Sequence, residues 1–597
     1  MKPARGTSSG RRVGFGRRIA FRRWLGVVAV LAGVAALAGC SGIPSSSAPQ
    51  IIRAVTGGVV PSAEPTIAPA PNSDPREIVT DFLSANLGDD AHHVAARGFL
   101  TEDARSKWTD TTVTVVGTFQ VSVADPITHQ VTVTADQLGT LDQSGIYTPV
   151  LEDDGETGIP ITLTFGMQQV SGQWRISQLA NGLVVDRADF KSAYEPRPIY
   201  FFDDSQPRLV PDLRYSALTD QSLCTWLLQQ LSDPPSAELQ SAVTGNLPAQ
   251  TNHASVTFSS SVITVDLPGV SQLNGQTRVH LAAQIAYTFQ IDFNTTVELT
   301  DGSHAVDIPR VPSPFTASDF VNFAGNGLPP TLYYLHAGAL VESGSAPVPG
   351  PAGQGSYHLT SVAVAQRGAG PGLVAATTGP SGEARLLTGP LGGSLTLAKA
   401  PAGPLTRPAW APGLSEAWIG DGALLLRVSA SGQSVNQVAM AGRSSAPLGR
   451  IESVAFSPDG ARIALVMVPG DGTAQVWVGA VVRTGSSVRV DGLEPVTPPG
   501  LVLVDVAWND STTLYTIGAD ATRGNQFGFW AVQVDGSLLN PRSTDGLPGS
   551  ADTITTTSLA EPWASATGAV FVLKQNLWSS PAPGGQTTGG TAPNYLE

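Results

Sequence analysis

The C-terminal half of the chain contains a tight turn between two apolar segments, Phe456-Ser457-Pro458-Asp459-Gly460-Ala461-Arg462-Ile463-Ala464-Leu465-Val466. Pro458 restricts φ at the start of the turn, Asp459 can accept a hydrogen bond from its own backbone, and Gly460 supplies a positive φ. The aliphatic segments on either side are long enough to form strands. The pattern therefore predicts an antiparallel strand pair with buried side chains.

Related segments recur at similar spacing along the C-terminal part of the chain. Successive segments lie 46, 46, 52 and 51 residues apart. They are Ser361-Val362-Ala363-Val364-Ala365, Arg407-Pro408-Ala409-Trp410-Ala411, Ser453-Val454-Ala455-Phe456-Ser457, Asp505-Val506-Ala507-Trp508-Asn509 and Thr556-Thr557-Ser558-Leu559-Ala560. A period of about 40 to 50 residues is typical of a four-stranded propeller blade.

This repeat resembles those of TolB-like and WD40-like β-propellers, and we predict a propeller over residues 331–585 with a C-terminal tail over 586–597. Five blades are visible in the repeat. A sixth blade is predicted to form if residues 331–341 pair with residues 570–578, which would close the ring. A β-sandwich with coincidental spacing is the alternative.

Residues 1–39 have the features of a signal peptide. Eight basic residues and no acidic residue precede the apolar run Trp24–Leu37, which is too short to span a membrane. The run ends in Leu37-Ala38-Gly39-Cys40, which resembles the lipobox of bacterial lipoproteins. We predict cleavage between Gly39 and Cys40 by signal peptidase II, lipidation of Cys40, and an anchor at the extracytoplasmic face of the cell membrane. An ordinary cleavage site with a free Cys40 is the alternative.

The net charge and the cysteine content limit the functions that the mature chain can have. The full sequence of 597 residues carries a formal charge of −14, and removal of the eight basic leader residues leaves −22. This charge disfavours nucleic-acid binding. Cys224 is the one cysteine besides Cys40, and its spacing with Leu228 and Leu231 predicts a buried structural thiol on a helix.

Three regions precede the propeller. Residues 40–73 are rich in proline and serine, and this composition predicts an extended tether. Residues 74–198 predict an α+β domain of the nuclear-transport-factor-like (NTF2-like) kind, in which Asp74 caps a helix that begins at Pro75. Strand-like runs follow at Thr112–Phe119, Gln130–Thr134, Ile161–Phe165 and Trp174–Leu179.

Residues 199–320 predict a second α+β unit. A buried strand at Ile199–Phe202 is followed by a second predicted strand at Arg208–Tyr215 and by the Cys224 helix, which Pro234-Pro235 terminates. A hairpin, a second helix and a strand ending at Asp301-Gly302 complete the unit. This order resembles the GerMN domain of envelope and sporulation lipoproteins.

The sequence presents no recognisable catalytic, cofactor or metal constellation. The one GxSxG match, Gly6–Gly10, lies in the leader, and adjacent His92 and His93 near Asp89-Asp90 point to different faces of any regular element. We therefore predict a non-enzymatic interaction protein. The acids Asp203, Asp204 and Asp266 support an alternative, a peptidoglycan-binding, carbohydrate-binding or hydrolytic envelope protein.

The combination of lipobox, GerMN-like unit and propeller resembles the LpqB family of actinobacterial lipoproteins. The segments that carry the resemblance most specifically are Ile43–Gln50, Tyr200–Asp203 and Leu209–Tyr215. The resemblance implies an accessory lipoprotein of the MtrA/MtrB two-component system that binds the extracytoplasmic part of the sensor histidine kinase MtrB and affects envelope homeostasis and division. A structural assembly factor is a third hypothesis.

Overall fold

The computed structural model describes residues 69–87, 92–150, 158–245, 247, 253–292, 294–324, 330–344, 346–367, 370–443, 448–470, 472–582 and 588–596. Residues 67–597 form one compact unit. None of the helices in the described part of the chain is both long and apolar enough to cross a membrane. The predicted lipidation and cleavage residues, Cys40 and Gly39, lie outside the described residues.

The N-terminal domain is an α+β domain, as predicted. Its first helix, α1 (Pro75–Ala85), begins with a capping box in which the Asp74 carboxylate accepts from the Glu77 amide and the Glu77 carboxylate accepts from the Asp74 amide. The other helices are α2 (Val94–Arg97), α3 (Glu102–Lys107) and α4 (Arg187–Ala193). The strands are β1 (Val113–Val116), β2 (Gln120–Val121), β3 (Gln130–Leu141), β4 (Tyr147–Pro149), β5 (Ile159–Val170), β6 (Gln173–Gln178) and β7 (Leu183–Asp186).

These strands form one sheet in the order β6-β5-β3-β1-β7, with β2 and β4 paired to β3. The Phe82 ring on α1 contacts the rings of Trp108 and Phe165, with centroids 5.7 and 6.0 Å apart. The apolar stripe of α1 is therefore buried against the sheet.

The second unit contains three sheets and two helices. Its strands are β8 (Glu195–Pro196), β9 (Ile199–Asp203), β10 (Leu209–Asp212), β11 (Tyr215–Ser216), β12 (Val243–Thr244), β13 (Ser255–Ser259), β14 (Val262–Asp266), β15 (Thr296–Asp301) and β16 (His304–Ala305). The three sheets are β10-β9-β12, β11-β8 and β13-β14-β15-β16. Its helices are α5 (Asp220–Ser232) and α6 (Gly275–Thr288), with 3-10 turns at Val270–Gln272 and Ala317–Phe323. Helix α6 connects the parallel strands β14 and β15.

One strand prediction in this unit is wrong. The segment predicted as a single strand, Arg208–Tyr215, divides into β10, which pairs with β9, and β11, which pairs with β8 in another sheet. The buried Arg214 lies at the division, where its guanidinium donates to the Asp212 carboxylate at 2.9 Å and to the Gln230 side chain at 2.6 Å. These contacts give the buried charge its partners at the point where the chain leaves the first sheet.

The C-terminal region is a β-propeller. In the described residues its strands form six blades. The outer strands of blades 3 and 4 pair with each other, so these two blades form one eight-stranded sheet. Blade 1 contains β17 (Leu332–His336), β18 (Ala339–Glu342) and β19 (Ala346–Pro347). Blade 2 contains β20 (Leu359–Arg367), β21 (Gly370–Thr378), β22 (Arg385–Pro390) and β23 (Thr396–Leu397). Blade 3 contains β24 (Ala409–Trp410), β25 (Glu416–Asp421), β26 (Leu424–Ser429) and β27 (Val435–Gly442).

Blades 4 to 6 follow in chain order. Blade 4 contains β28 (Arg450–Phe456), β29 (Arg462–Val468), β30 (Gln475–Thr484) and β31 (Ser487–Pro495). Blade 5 contains β32 (Leu501–Trp508), β33 (Thr513–Asp520), β34 (Gln526–Gln533) and β35 (Leu539–Arg542). Blade 6 contains β36 (Ala551–Thr557), β37 (Ala560–Ala566), β38 (Ala569–Lys574), β39 (Leu577–Ser579) and β40 (Thr588–Gly589). A last strand, β41 (Thr591–Tyr595), pairs with β17 and so provides the inner strand of blade 1.

The predicted partner of residues 331–341 is therefore wrong. Residues 570–578 pair within blade 6, whereas β41, in the segment predicted as a tail, closes the ring. The tail prediction missed this strand because Pro593 interrupts its apolar pattern.

The register of the last repeat also differs from the prediction. A β-bulge recurs in the inner strands directly before Ser361, Ser453 and Asp505, and the equivalent bulge in blade 6 precedes Thr553. The predicted start at Thr556 is thus three residues too late, and Ser558-Leu559 form the turn between β36 and β37. A run of four threonines and an isoleucine gives no local signal that fixes the register.

The turn that predicted the blades forms as expected. Gly460 has φ +80°, its amide donates to the Ser457 carbonyl at 2.8 Å, and the Asp459 carboxylate accepts from the Ala461 amide at 2.8 Å. Two tryptophans join neighbouring blades, since Trp410 donates to the Ala363 carbonyl and Trp508 to the Ala455 carbonyl, both at 3.1 Å. These contacts explain why tryptophan recurs in the repeat.

Candidate functional site

The predicted acids lie at strand ends in two different sheets, and each has a local hydrogen-bond partner. Asp203 ends β9 and Asp204 follows it, whereas Asp266 ends β14 in a different sheet. Asp203 accepts from the amides of its own turn, Asp204 accepts from the Thr244 hydroxyl, and Asp266 accepts from the Thr300 hydroxyl at 2.7 Å. Each carboxylate therefore stabilises a local turn or strand end.

His93 of the histidine pair has a charged partner, and the free thiol of Cys224 is buried. The His93 ring lies 2.9 Å from the Asp110 carboxylate, which Arg97 contacts with its guanidinium at 3.1 Å. Within the described residues, no three His, Cys, Asp or Glu side chains are grouped as metal ligands would be. Cys224 is buried on α5, and burial raises the pKa of its thiol to about 11, which confirms the prediction of a structural cysteine.

A cavity of about 370 Å³ lies at one end of the propeller axis, where the inner strands end. The residues that line it include three aromatic ones, Phe456, Trp508 and Tyr595, and the polar residues Gln366 and Thr557. The inner strands of blades 1, 2, 4, 5 and 6 contribute these residues. This volume suits a small ligand or a few residues of an extended chain.

The second unit contributes Arg208 to this cavity. The Arg208 guanidinium donates to the Pro458 carbonyl at 3.0 Å, and Gln206 donates to the Pro412 carbonyl at 3.4 Å. Both carbonyls belong to turns after inner strands, in blades 4 and 3. Burial lowers the pKa of Arg208, an effect that nearby Asp459 and Asp203 oppose.

A glycine leaves the space for this arginine. Gly413 has φ +75°, and a Cβ atom there would lie 2.7 Å from one guanidinium nitrogen of Arg208. Any other residue at this position would both strain the backbone and displace the arginine.

Deeper along the axis, an ion pair crosses the propeller. Arg407 in blade 3 lies 3.2 Å from the carboxylate of Asp505 in blade 5, and these side chains are only 11% and 5% exposed. Asp505 also accepts from the Ser453 hydroxyl at 2.5 Å and from the Ile554 amide at 2.8 Å. Arg407 donates further to the carbonyls of Ile554 and Pro593. The pair thereby connects five blades, and Arg407 also lines the cavity.

Sequence reasoning missed both arginines and Asp505 as parts of a site. A signal for the ion pair was present, because Arg407 and Asp505 occupy the first position of their repeats, where Ser361 and Ser453 are the equivalents. Opposite charges at equivalent positions two blades apart indicate a contact across the axis. Arg208 gave no such signal, since its partners come from another domain.

The two N-terminal domains pack firmly on blades 4 and 5. Arg462 donates to the Pro211 carbonyl at 2.6 Å, and the Tyr215 hydroxyl lies 2.6 Å from the Ser537 hydroxyl. Ser537 in turn donates to the Asp535 carboxylate at 2.6 Å. Burial raises the pKa of Asp535 to about 6. The apolar cores are continuous across both interfaces, so the cavity wall that contains Arg208 is held in a fixed position.

Comparison with known proteins agrees with this domain order. Residues 68–191 match the family described as lipoprotein LpqB, N-terminal domain, residues 198–303 match the sporulation and spore germination family, and residues 338–591 match the lipoprotein LpqB beta-propeller domain.

Similar proteins include lipoprotein LpqB of Mycolicibacterium smegmatis, at 33% identity over 72% of this chain and 75% of the relative. The Mycobacterium tuberculosis protein is 31% identical over 71% and 75%, and the Rhodococcus jostii protein is 28% identical over 89% and 91%. Among solved structures, the beta-propeller domain of Cps50 (Swd1) from Myceliophteria thermophila is 11% identical, with a TM-score of 0.26 over 36% of this chain and 66% of that one.

The domains and relatives define a class of multidomain lipoproteins that carry a β-propeller. More narrowly, the chain belongs to the LpqB lipoprotein family, which confirms the resemblance seen in the sequence.

Proposed function

We propose that the protein is a membrane-anchored regulator that binds the extracytoplasmic part of an MtrB-like sensor histidine kinase and so affects envelope homeostasis and division. The observation that carries this proposal is the cavity at the end of the propeller axis, which the propeller and Arg208 of the second unit build together. Aromatic residues, hydroxyls and the arginines Arg208 and Arg407 suit the side chains and carbonyls of a polypeptide segment.

The anchor supports the same function. Two proteins held at one membrane meet at a high effective concentration, so a weak interface is occupied without high affinity. In this proposal Cys40 carries the lipid, the protein stands on the extracytoplasmic face, and the cavity binds an exposed segment of the kinase. The domains act by binding and not by catalysis.

Cross-linking in membranes tests this function. Tagged protein is cross-linked and purified, and its partners are identified by mass spectrometry, with a Cys40→Ala chain as the control. We expect enrichment of a sensor kinase through its extracytoplasmic domain and a weaker yield from the control. Recovery of wall glycan or wall-synthesis enzymes without any kinase would overturn the proposal and favour the glycan-binding or assembly alternatives.

A further inference from the structure

Two neighbouring hairpin tips of the N-terminal domain expose aliphatic side chains. Val123 and Ile127, in the loop between β2 and β3, are 77% and 86% exposed, and Val170, at the tip between β5 and β6, is 45% exposed. The tips adjoin each other, because the Met167 amide donates to the His129 carbonyl at 3.1 Å.

The longer tip has a defined shape. The Asp125 carboxylate accepts from the amides of Ile127 at 2.9 Å and Thr128 at 2.7 Å, which lowers the pKa of Asp125. The His129 ring lies against the Trp174 ring, with centroids 5.4 Å apart. The turn therefore holds Ile127 outward, where folding gains nothing from an aliphatic side chain.

These tips lie on the side of the domain where helix α1 begins. Asn86, after the end of α1, donates to the Val184 carbonyl, and Val184 lies on β7 at the far end of the sheet. One turn earlier, Phe82 contacts Phe165, which pairs with Val131 beside the tips. Helix α1 thus begins on the side of the tips, and the predicted anchor at Cys40 precedes this helix in the chain.

The chemistry of the tips matches a lipid surface better than a charged partner. Residues 119–130 contain no lysine or arginine and one acid, Asp125, whose charge its own turn already uses. Aliphatic side chains at a protruding, rigid turn can enter the boundary between headgroups and acyl chains.

We propose that the tips bearing Val123, Ile127 and Val170 insert into the membrane that holds the lipid anchor. Residues 67–597 form one compact unit, so this second contact fixes the orientation of the propeller above the bilayer. The inference depends on the lipoprotein character of the family and not on the identity of the partner.

Environment-sensitive fluorescence tests the insertion. In the full chain with Cys40→Ala, Ile127→Cys is labelled with a polarity-sensitive dye, because Cys224 is buried and does not react. Leu577→Cys, which is 53% exposed on blade 6, is the matched control. Vesicles that mix phosphatidylcholine with the anionic lipid phosphatidylglycerol are added, once at low salt and once at high salt.

We expect a blue shift at position 127 that persists at high salt, and none at position 577. In co-sedimentation without dye, Ile127→Asp is expected to lower vesicle binding about tenfold, as loss of one buried aliphatic side chain predicts, whereas Leu577→Asp leaves it unchanged. Equal spectra at both positions, or a shift that salt abolishes, would overturn the proposal.

Discussion

Two arginines reach the axis of the propeller, and their partners differ in kind. Arg407 lies within the ring and contacts a buried carboxylate, whereas Arg208 comes from a neighbouring domain and contacts a backbone carbonyl. The first arginine holds five blades together. The second arginine, Arg208, lines a cavity, where its guanidinium can donate hydrogen bonds to a bound ligand. The difference separates a charge that stabilises the fold from one available for binding, and the following predictions test that separation.

The largest effect is expected at the ion pair. Arg407→Met or Asp505→Leu leaves the other charge buried without its partner and should lower the free energy of unfolding by about 3–5 kcal/mol. The double substitution should cost less than either single one, because it buries no unpaired charge. Urea unfolding of the three variants measures this coupling. Single variants that lose less than about 1 kcal/mol would show that water already reaches the pair.

Asp535 is the counterexample of a buried acid that contacts hydroxyls and no cation. Because its pKa is raised to about 6, the folded state keeps the proton at pH values where the unfolded chain has lost it. Its contribution to stability therefore falls as pH rises from about 4 to about 6. Asp535→Asn should match the parent at pH 4 and exceed it by up to about 3 kcal/mol at pH 7. Parallel stability curves for the two chains would contradict this.

A smaller effect is expected where the glycine accommodates Arg208. Gly413→Ala should cost about 1–2 kcal/mol, because it combines a strained φ with displacement of the arginine. In an Arg208→Met background the cost should fall, leaving the backbone part and the contact with the Gln206 side chain, whose Oε1 also lies 2.7 Å from the added Cβ. Denaturation of the two single variants and the double variant measures the difference. An identical cost in both backgrounds would mean that the guanidinium moves aside freely.

The smallest effect on stability, and the largest on binding, is expected at Arg208 itself. Arg208→Met keeps the aliphatic stem and removes one hydrogen bond, worth about 1 kcal/mol. Affinity for the proposed partner, the extracytoplasmic domain of a sensor kinase, should fall about tenfold or more. Arg523→Met, at a 74% exposed arginine of blade 5, is the control. Equal affinities for both variants in titration calorimetry would remove Arg208 from the interface.

The local parts of this structure could be predicted from the sequence, and the long-range parts could not. The Asp74 cap, the turn at Pro458-Asp459-Gly460 and the buried Cys224 helix depend on neighbouring residues, and all three form as expected. Ring closure by Thr591–Tyr595 depends on a strand pairing between the two ends of the propeller sequence, for which there is no local signal. The site has the same limit, since Arg208 acquires its role only when two domains pack.

Site-specific photo-cross-linking in membranes tests most directly whether the cavity is the binding site. A photoreactive amino acid replaces Thr557 at the cavity wall or, as the control, Leu577 on the outer part of blade 6. Our account predicts a cross-link to the kinase's extracytoplasmic domain from position 557, lost with Arg208→Met, and none from position 577. A kinase cross-link from position 577 with none from position 557 would contradict it.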